Sequence, residues 1–385
     1  MAPDAEGHGT EKVIEAIHKY SGKVKAPVIP IKLIASVVTI SFGGSAGKEG
    51  PAAQVGAGVA SVFSDILKFN DIDRKKLVIC GISAGFASVF GTPLAGAIFG
   101  IEVLFIGDIL YEALLPSFVA GIISYHISSG FGVTYFYHPL KFTPVFSESL
   151  LIKVIIAGVF FGIVSFALIE TMRLFEDLSS KINLWKPLKG VIGGLIIIVL
   201  AFIFSTKYLG LGLETIQEIL EGKEIVIYAF ILKIIFTSIT LNFGGSGGVI
   251  TPIFFIEAAA GTALANLIGM NRATLSAIGL VSVLAGATNA PIASSIMAIE
   301  FFGTSIAPYA ALSCIVSFLI TGHRSIYPSQ ILGIRKSPSI QVEIGKEVEE
   351  VTPEFEWRRR NLIDVFLGKL GILTKGSSKA KDNTP

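Results

Sequence analysis

Between Gly43 and Pro51 the chain reads Gly-Gly-Ser-Ala-Gly-Lys-Glu-Gly-Pro, setting two charged side chains among glycines where one apolar run stops and another begins. Proline is favoured in the first turn of a helix, where its missing N–H costs nothing. Glycines let backbone amides come close to a ligand. The free N–H groups of such a turn, reinforced by the helix dipole, form an anion site. Glu49 then places a carboxylate inside that site. Ionised, it competes with an anion for the same amides; protonated, it withdraws. It is therefore expected to gate the site and to be able to carry a proton. The plainer alternative is an acid that merely decorates a helix N-terminus, but ionisable groups inside membranes are costly and mostly functional. Lys48 either raises the positive potential of a vestibule or snorkels to an interface.

The stretch Asn242–Pro252 is a near copy, with Val249-Ile250 where the first carries Lys48-Glu49. The likeness extends outward. Gly7-His8-Gly9-Thr10-Glu11 parallels Gly210-Leu211-Gly212-Leu213-Glu214, Lys32 parallels Lys233, and the segment from Pro93 to Glu102 parallels that from Pro291 to Glu300. Breaks at matched positions of two apolar repeats point to a transport site at a membrane midplane. With the halves inverted, two helix N-termini converge there and hold a small anion by backbone alone, without fixed countercharges that would trap it. A phosphate-binding loop is rejected, because Gly43–Lys48 has the wrong glycine spacing and Glu49 stands where Ser or Thr is required. No nucleophile–base set or metal-ligand cluster is visible, so neither an enzyme nor a cofactor is expected.

Composition supplies the setting. Hydrophobic residues make up 52% of the chain and charged residues 16%, with mean hydropathy +0.71, the signature of an integral membrane protein. The net charge of +2 and the lack of a basic patch interleaved with aromatics argue against a nucleic-acid partner. Cys80 and Cys314 lie in apolar runs and are read as packed thiols, while His18, His126, His138 and His323 are scattered. Of the apolar runs, only Leu150–Ile169 reaches the roughly 20 residues of a straight span; the rest are cut short by Gly or Pro, as half-helices would be.

The expected organisation is a first repeat over 1–128, an interfacial linker over 129–149, a second repeat over 150–335 and a polar tail over 336–385. Each half reads as short helix, apolar helix, glycine break, helix, apolar helix, proline, helix. The linker is rich in Gly and aromatics, including Phe131, Tyr135, Tyr137 and Phe142. Arg173–Lys189 reads as a basic loop on the cytoplasmic side. The tail holds Trp357-Arg358-Arg359-Arg360, and Leu362–Leu373 suits a weakly amphipathic surface helix or a frayed end.

These residues resemble the CLC family of voltage-gated chloride channels and chloride–proton antiporters. Gly47–Pro51 is similar to its GKEGP signature, Gly248–Pro252 to its GxFxP motif with Ile250 in place of phenylalanine, Gly7–Thr10 to its GSGIP segment, and Ser325-Ile326-Tyr327-Pro328 to the segment of its pore tyrosine. The resemblance, over about residues 7–335, implies an all-α membrane protein of inverted-repeat architecture with broken helices. It implies a gating role for Glu49 and an outer anion site lined by amides of Lys48, Glu49, Gly50, Ile250 and Thr251. A central site would be lined by amides of Val249 and Ile250 with the Tyr327 hydroxyl. His8 falls where a serine hydroxyl contributes. A homodimer is implied, with contact through the helices after Pro93 and Pro291 and those around 112–127 and 306–320. Substrate and setting follow: chloride or a similar small anion in a lipid bilayer, the plasma membrane, with a cytoplasmic tail. Three departures qualify this. Exchangers of the family often carry an inner glutamate after the one matching Glu102, and here Val103 stands there, so Glu102 and Val103 are weak candidates for a proton route and the expectation leans to channel-like conduction. A chloride/proton antiporter is the alternative, and a non-conducting regulatory subunit a further one. By this resemblance the sequence starts at the family's fourth helix, so either it is truncated at its N-terminus or the subunit is shorter than usual, and the tandem CBS domains common after the last helix are not found in it.

Overall fold

Glycine, asparagine and proline set the element boundaries, and they do so twice. A computed structural model describes residues 3–135, 148–337, 340–351 and 354–355. The first half comprises α1 (Gly9–Lys19), α2 (Val28–Ser41), α3 (Glu49–Ile66), α4 (Asp71–Phe90), α5 (Pro93–Glu102) and α6 (Leu114–Gly130). Two long helices follow, α7 (Glu148–Lys181) and α8 (Lys186–Ile203). The second half repeats the order with α9 (Leu213–Leu220), α10 (Ala229–Asn242), α11 (Ile250–Ile268), α12 (Arg272–Thr288), α13 (Pro291–Phe302) and α14 (Ala307–Thr321). Matched residues start and stop matched helices. Asn70 caps α4 by accepting the Asp73 N–H, and Asn271 caps α12 by accepting that of Thr274. Gly91 and Asn289 close the same two helices in the left-handed conformation, and a proline then opens α5 and α13.

Small residues bring the central helices together. A Cβ at Gly85 of α4 would stand 2.5 Å from the Ala52 carbonyl of α3, and one at Gly261 of α11 would stand 2.6 Å from Ser276 of α12. Such close backbone approach is how membrane helices gain contact where lipid is as apolar as leucine. Among the described residues, five segments are long and apolar enough to cross a membrane: Tyr111–Gly130, α7, α8, α11 and Thr304–Thr321. Their surroundings differ. Protein encloses 89% of the apolar window of α11 but only 11% of that of α8, whose Phe202 is 93% exposed to the lipid side.

Several expectations are corrected. The basic stretch read as a loop over Arg173–Lys189 is helical at both ends, with only 182–185 separating α7 from α8. The helix outlasts its apolar run because Met172, Phe175 and Ser179 keep a protein-facing stripe as charges appear on the other face, and Lys189 Nζ donates to the Ser179 carbonyl at 2.7 Å. The linker is trimmed at both ends by α6 and α7, and Tyr137 and Phe142 lie outside the described residues, as do Trp357–Arg360 and Leu362–Leu373. Short strands also occur where none was expected. β1 (Gly7–His8) pairs in parallel with β3 (Ser246–Gly247), and β2 (Phe105–Ile106) with β4 (Ile331–Leu332). Broken backbone inside a membrane protein must find partners for its N–H and C=O groups, and these ladders supply them.

Candidate functional site

The two glycine breaks cross in the middle of the molecule and pair with each other. Gly47 N–H donates to the Gly248 carbonyl and Gly248 N–H to the Gly47 carbonyl, both at 2.7 Å. The amides beside this crossing are held by exchange between halves. Ser45 N–H donates to the Thr240 hydroxyl and Ser246 N–H to the Thr39 hydroxyl, each at 3.0 Å. Ser45 Oγ meets Thr237 at 2.9 Å and Ser246 Oγ meets Ser36 at 3.2 Å. Each half also contributes one fully buried lysine. Lys32 Nζ donates to the carbonyls of Ala5 and Gly7, at 3.2 and 2.6 Å; Lys233 Nζ donates to those of Tyr208 and Gly210, at 3.0 and 2.9 Å. In both cases an ammonium holds the carbonyls of the turn that leads into the short helix of its half. Thr39, Thr237 and Thr240 were not singled out from sequence, although the repeat register places Thr39 opposite Thr240.

Symmetry ends at Glu49. This residue opens α3, yet its carboxylate lies across the start of α11, 1% exposed. Ile250 N–H donates to its Oε1 at 2.6 Å and the Thr251 hydroxyl to its Oε2 at 2.7 Å. The carboxylate thus occupies the donors that a bound anion would use. A Cβ on Gly47 or Gly248 would meet that carboxylate, so the two glycines make room for it. Gly50, Val249, Ile250 and Thr251 are buried around it, whereas the Lys48 side chain is exposed.

Tyr327 closes the other side. It is fully buried, its hydroxyl makes no well-formed hydrogen bond among the described residues, and the Thr10 hydroxyl flanks it. Its ring centroid lies 5.8 Å from that of His8, whose buried Nδ1 is also unpartnered. The loop is fixed by Gln330, unnoticed in the sequence, whose Nε2 donates to the carbonyls of Val103 and Thr288, both at 2.7 Å. A cavity of about 620 Å³ adjoins this place, lined by Gly7, His8, Glu11, Ser325 and Ser329 together with Lys12, Arg173, Glu176, Lys186 and Lys189.

Glu102 stands apart from this pathway. Its two oxygens accept the N–H groups of Ile292 and Ala293 at 3.0 and 2.7 Å, at the start of α13. Glu300 does the same for Leu94 and Ala95 at the start of α5, at 3.0 and 2.8 Å. Each half therefore caps a helix of the other, a use of carboxylates that the helix dipole favours. Val103 ends α5, fully buried, with no titratable side chain. One further buried acid escaped the sequence reading: Glu257 of α11 accepts the Leu284 N–H on Oε1 and leaves Oε2 unpartnered.

With this geometry in view, comparison with known proteins is informative. The family model described as voltage gated chloride channel matches residues 1–322. A chloride/fluoride channel protein of Pseudomonas syringae pv. tomato is 37% identical over 336 residues, covering 85% of this chain and 74% of that protein. A voltage-gated ClC-type chloride channel of Shigella flexneri is 28% identical, covering 77% and 74%. Among solved structures, a CLC-type fluoride/proton antiporter is 29% identical with a TM-score of 0.81, covering 84% of this chain and 82% of its own. A slow cyanobacterial Cl−/H+ antiporter, 23% identical with a TM-score of 0.71 and covering 83% and 78%, shares the fold.

Proposed function

The chain belongs to the voltage-gated chloride channel family, whose members carry anions across membranes, and from that premise we propose that it exchanges a small halide for protons. The observation that carries this reading is the position of Glu49, whose carboxylate sits on the Ile250 amide and the Thr251 hydroxyl. An anion and an ionised carboxylate cannot share those donors. The anion enters when Glu49 takes a proton and swings away, and the proton leaves when the carboxylate returns. One group thus binds the proton and clears the anion path, which links the two movements. Amides of Lys48, Gly50 and Val249 complete the anion's surroundings, and the Tyr327 hydroxyl donates from the far side. Donors without fixed countercharge let the ion leave as readily as it enters.

The channel-like lean drawn from Val103 gives way here to the antiporter. A structural relative at TM-score 0.81 is described as a fluoride/proton antiporter. In this reading protons approach through the 620 Å³ cavity, whose polar lining includes His8 and Glu11 and not Val103. Chloride is the substrate proposed, with fluoride as its competitor because the relatives' descriptions include both.

The same proposal extends to assembly and orientation. Exposed Leu115, Val119, Ile315 and Leu319 on α6 and α14, beside α5 and α13, suit contact with a second copy in a homodimer. The basic residues Lys186 and Lys189 on the cavity support a cytoplasmic side for it in the plasma membrane, and Glu349 on the same cavity supports a tail on that side too. The test is reconstitution into liposomes with anion and pH electrodes read together. A chloride or fluoride gradient should drive protons uphill. Anion flux without proton movement would make the protein a channel, and no flux at all would make it a regulatory subunit.

A further inference from the structure

We propose that Glu11 and His8 form the inner proton relay to Glu49, in place of the inner glutamate that Val103 replaces; this rests on the proton-coupled reading above. Three polar atoms without partners gather at the inner end of the pathway: Glu11 Oε2, His8 Nδ1 and the Tyr327 hydroxyl. Glu11 and His8 both line the cavity with other parts of their side chains, while the two unpartnered atoms lie just beneath its wall. They stand at the start of α1, with His8 as the residue before the helix and Glu11 in its first turn. Residues three apart at a helix start are neighbours. An acid at that position commonly folds back onto the backbone before the helix. Glu11 instead accepts the Ser329 N–H at 3.1 Å and the Ser329 hydroxyl, which holds one oxygen in the Tyr327 loop and leaves the other free. Gly9 packs against Gly50, so that a Cβ on Gly50 would stand 3.2 Å from the Gly9 N. His8 and Glu49 thus adjoin the two glycines of one backbone contact.

The transfer balances. A hydronium in the cavity gives its proton to the Glu11 carboxylate and leaves water. The Glu11 O–H bond breaks as an N–H bond forms on one ring nitrogen of His8. The other ring nitrogen releases a proton, and an O–H bond forms on Glu49. Glu11 ends ionised and His8 neutral in its other tautomer, which a ring flip or proton exchange with water returns to the starting form before the next turnover, with the Tyr327 hydroxyl able to bridge as donor and acceptor. The charges around the relay are mixed. Burial first, and then Lys32 of α2 and Lys12 of α1, hold His8 below the ordinary imidazole range, so its charged form is short-lived and the proton passes on. Glu11 is faced by Lys12 and Glu15 of its own helix, by Ser329 and by Tyr327. Across the cavity stand Arg173 and Glu176 of α7, Lys186 and Lys189 of α8, and Glu349.

The test measures anion and proton flux together in liposomes for wild type, Glu11→Gln, Glu11→Asp and His8→Gln, each first checked for monodisperse elution. For Glu11→Gln and His8→Gln, proton flux should fall at least about tenfold relative to anion flux, the loss expected when a proton-transfer group is removed. Glu11→Asp should restore the ratio and displace its pH profile, which a packing role would not do. Wild-type coupling retained in both glutamine variants would overturn the relay and leave the antiporter standing. Proportional loss of both fluxes would overturn it in favour of a structural role. A wild type that moves no protons would overturn relay and antiporter together.

Discussion

The first and second glycine breaks share a backbone and differ in a few side chains, above all Glu49 against Ile250 and Gly50 against Thr251, and the division between shared and unshared features is instructive. Shared features build the crossing. Ser45 and Ser246 exchange bonds with Thr240 and Thr39, Lys32 and Lys233 each hold a turn, and Glu102 and Glu300 cap each other's helix partners. Each of these recurs at the matched position of the other half, so none can by itself distinguish one end of the pathway from the other. The unshared feature is Glu49, which stands opposite Ile250 and takes the amide of that same residue. Architecture lies in what the halves have in common, and the chemistry lies in what only one of them has.

The comparison can be broken most forcefully at the lysines. Lys32→Met and Lys233→Met each strip two charge-assisted bonds from buried carbonyls and should cost about 3 kcal/mol or more, to a similar extent. Thermal unfolding in detergent measures this; a large loss from one and none from the other would show that the symmetry of contacts is not one of energetics. The next effect is confined to the first break's carboxylate. Thr251→Val removes one donor to ionised Glu49, which favours the neutral form, so acid activation of anion flux should move to higher pH by about one unit. An unmoved activation curve would mean that Thr251 does not hold the closed gate. The smallest effect belongs to the caps. Glu102→Gln and Glu300→Gln should each destabilise by about 1 kcal/mol and leave the proton-to-anion ratio at the wild-type value. A change in that ratio with Glu102→Gln alone would give Glu102 a part in proton movement that its twin lacks.

Much of this organisation was legible in the sequence because Gly and Pro act locally. Gly91-Thr92-Pro93 and Asn289-Ala290-Pro291 announce a helix end and a helix start within three residues, and the repeat makes each signal count twice. Hydropathy alone fails for α3, whose Ala, Gly and Ser pack against α4 without forming an apolar run; only the repeat implied a helix there. The far end of α7 was lost for the opposite reason, since charges on one face conceal a buried stripe on the other. Within the site, Glu49 was conspicuous as a charge beside glycines. Thr39 and Thr240 were not, because a hydroxyl in an apolar helix usually bonds its own backbone and declares no distant partner, and Gln330 sits in a loop where its partners are far away in sequence. Glu257 was concealed likewise, since the amide it accepts belongs to another helix.

The central claim is that the Glu49 carboxylate both occupies the anion's donors and carries the proton. The most direct test compares wild type with Glu49→Ala in liposomes, recording anion efflux and proton movement across a series of external pH values. Without the carboxylate, anion flux should persist at every pH with no acid activation, and proton movement should vanish. Efflux by Glu49→Ala that remained acid-activated, or that still drove protons uphill, would contradict the account.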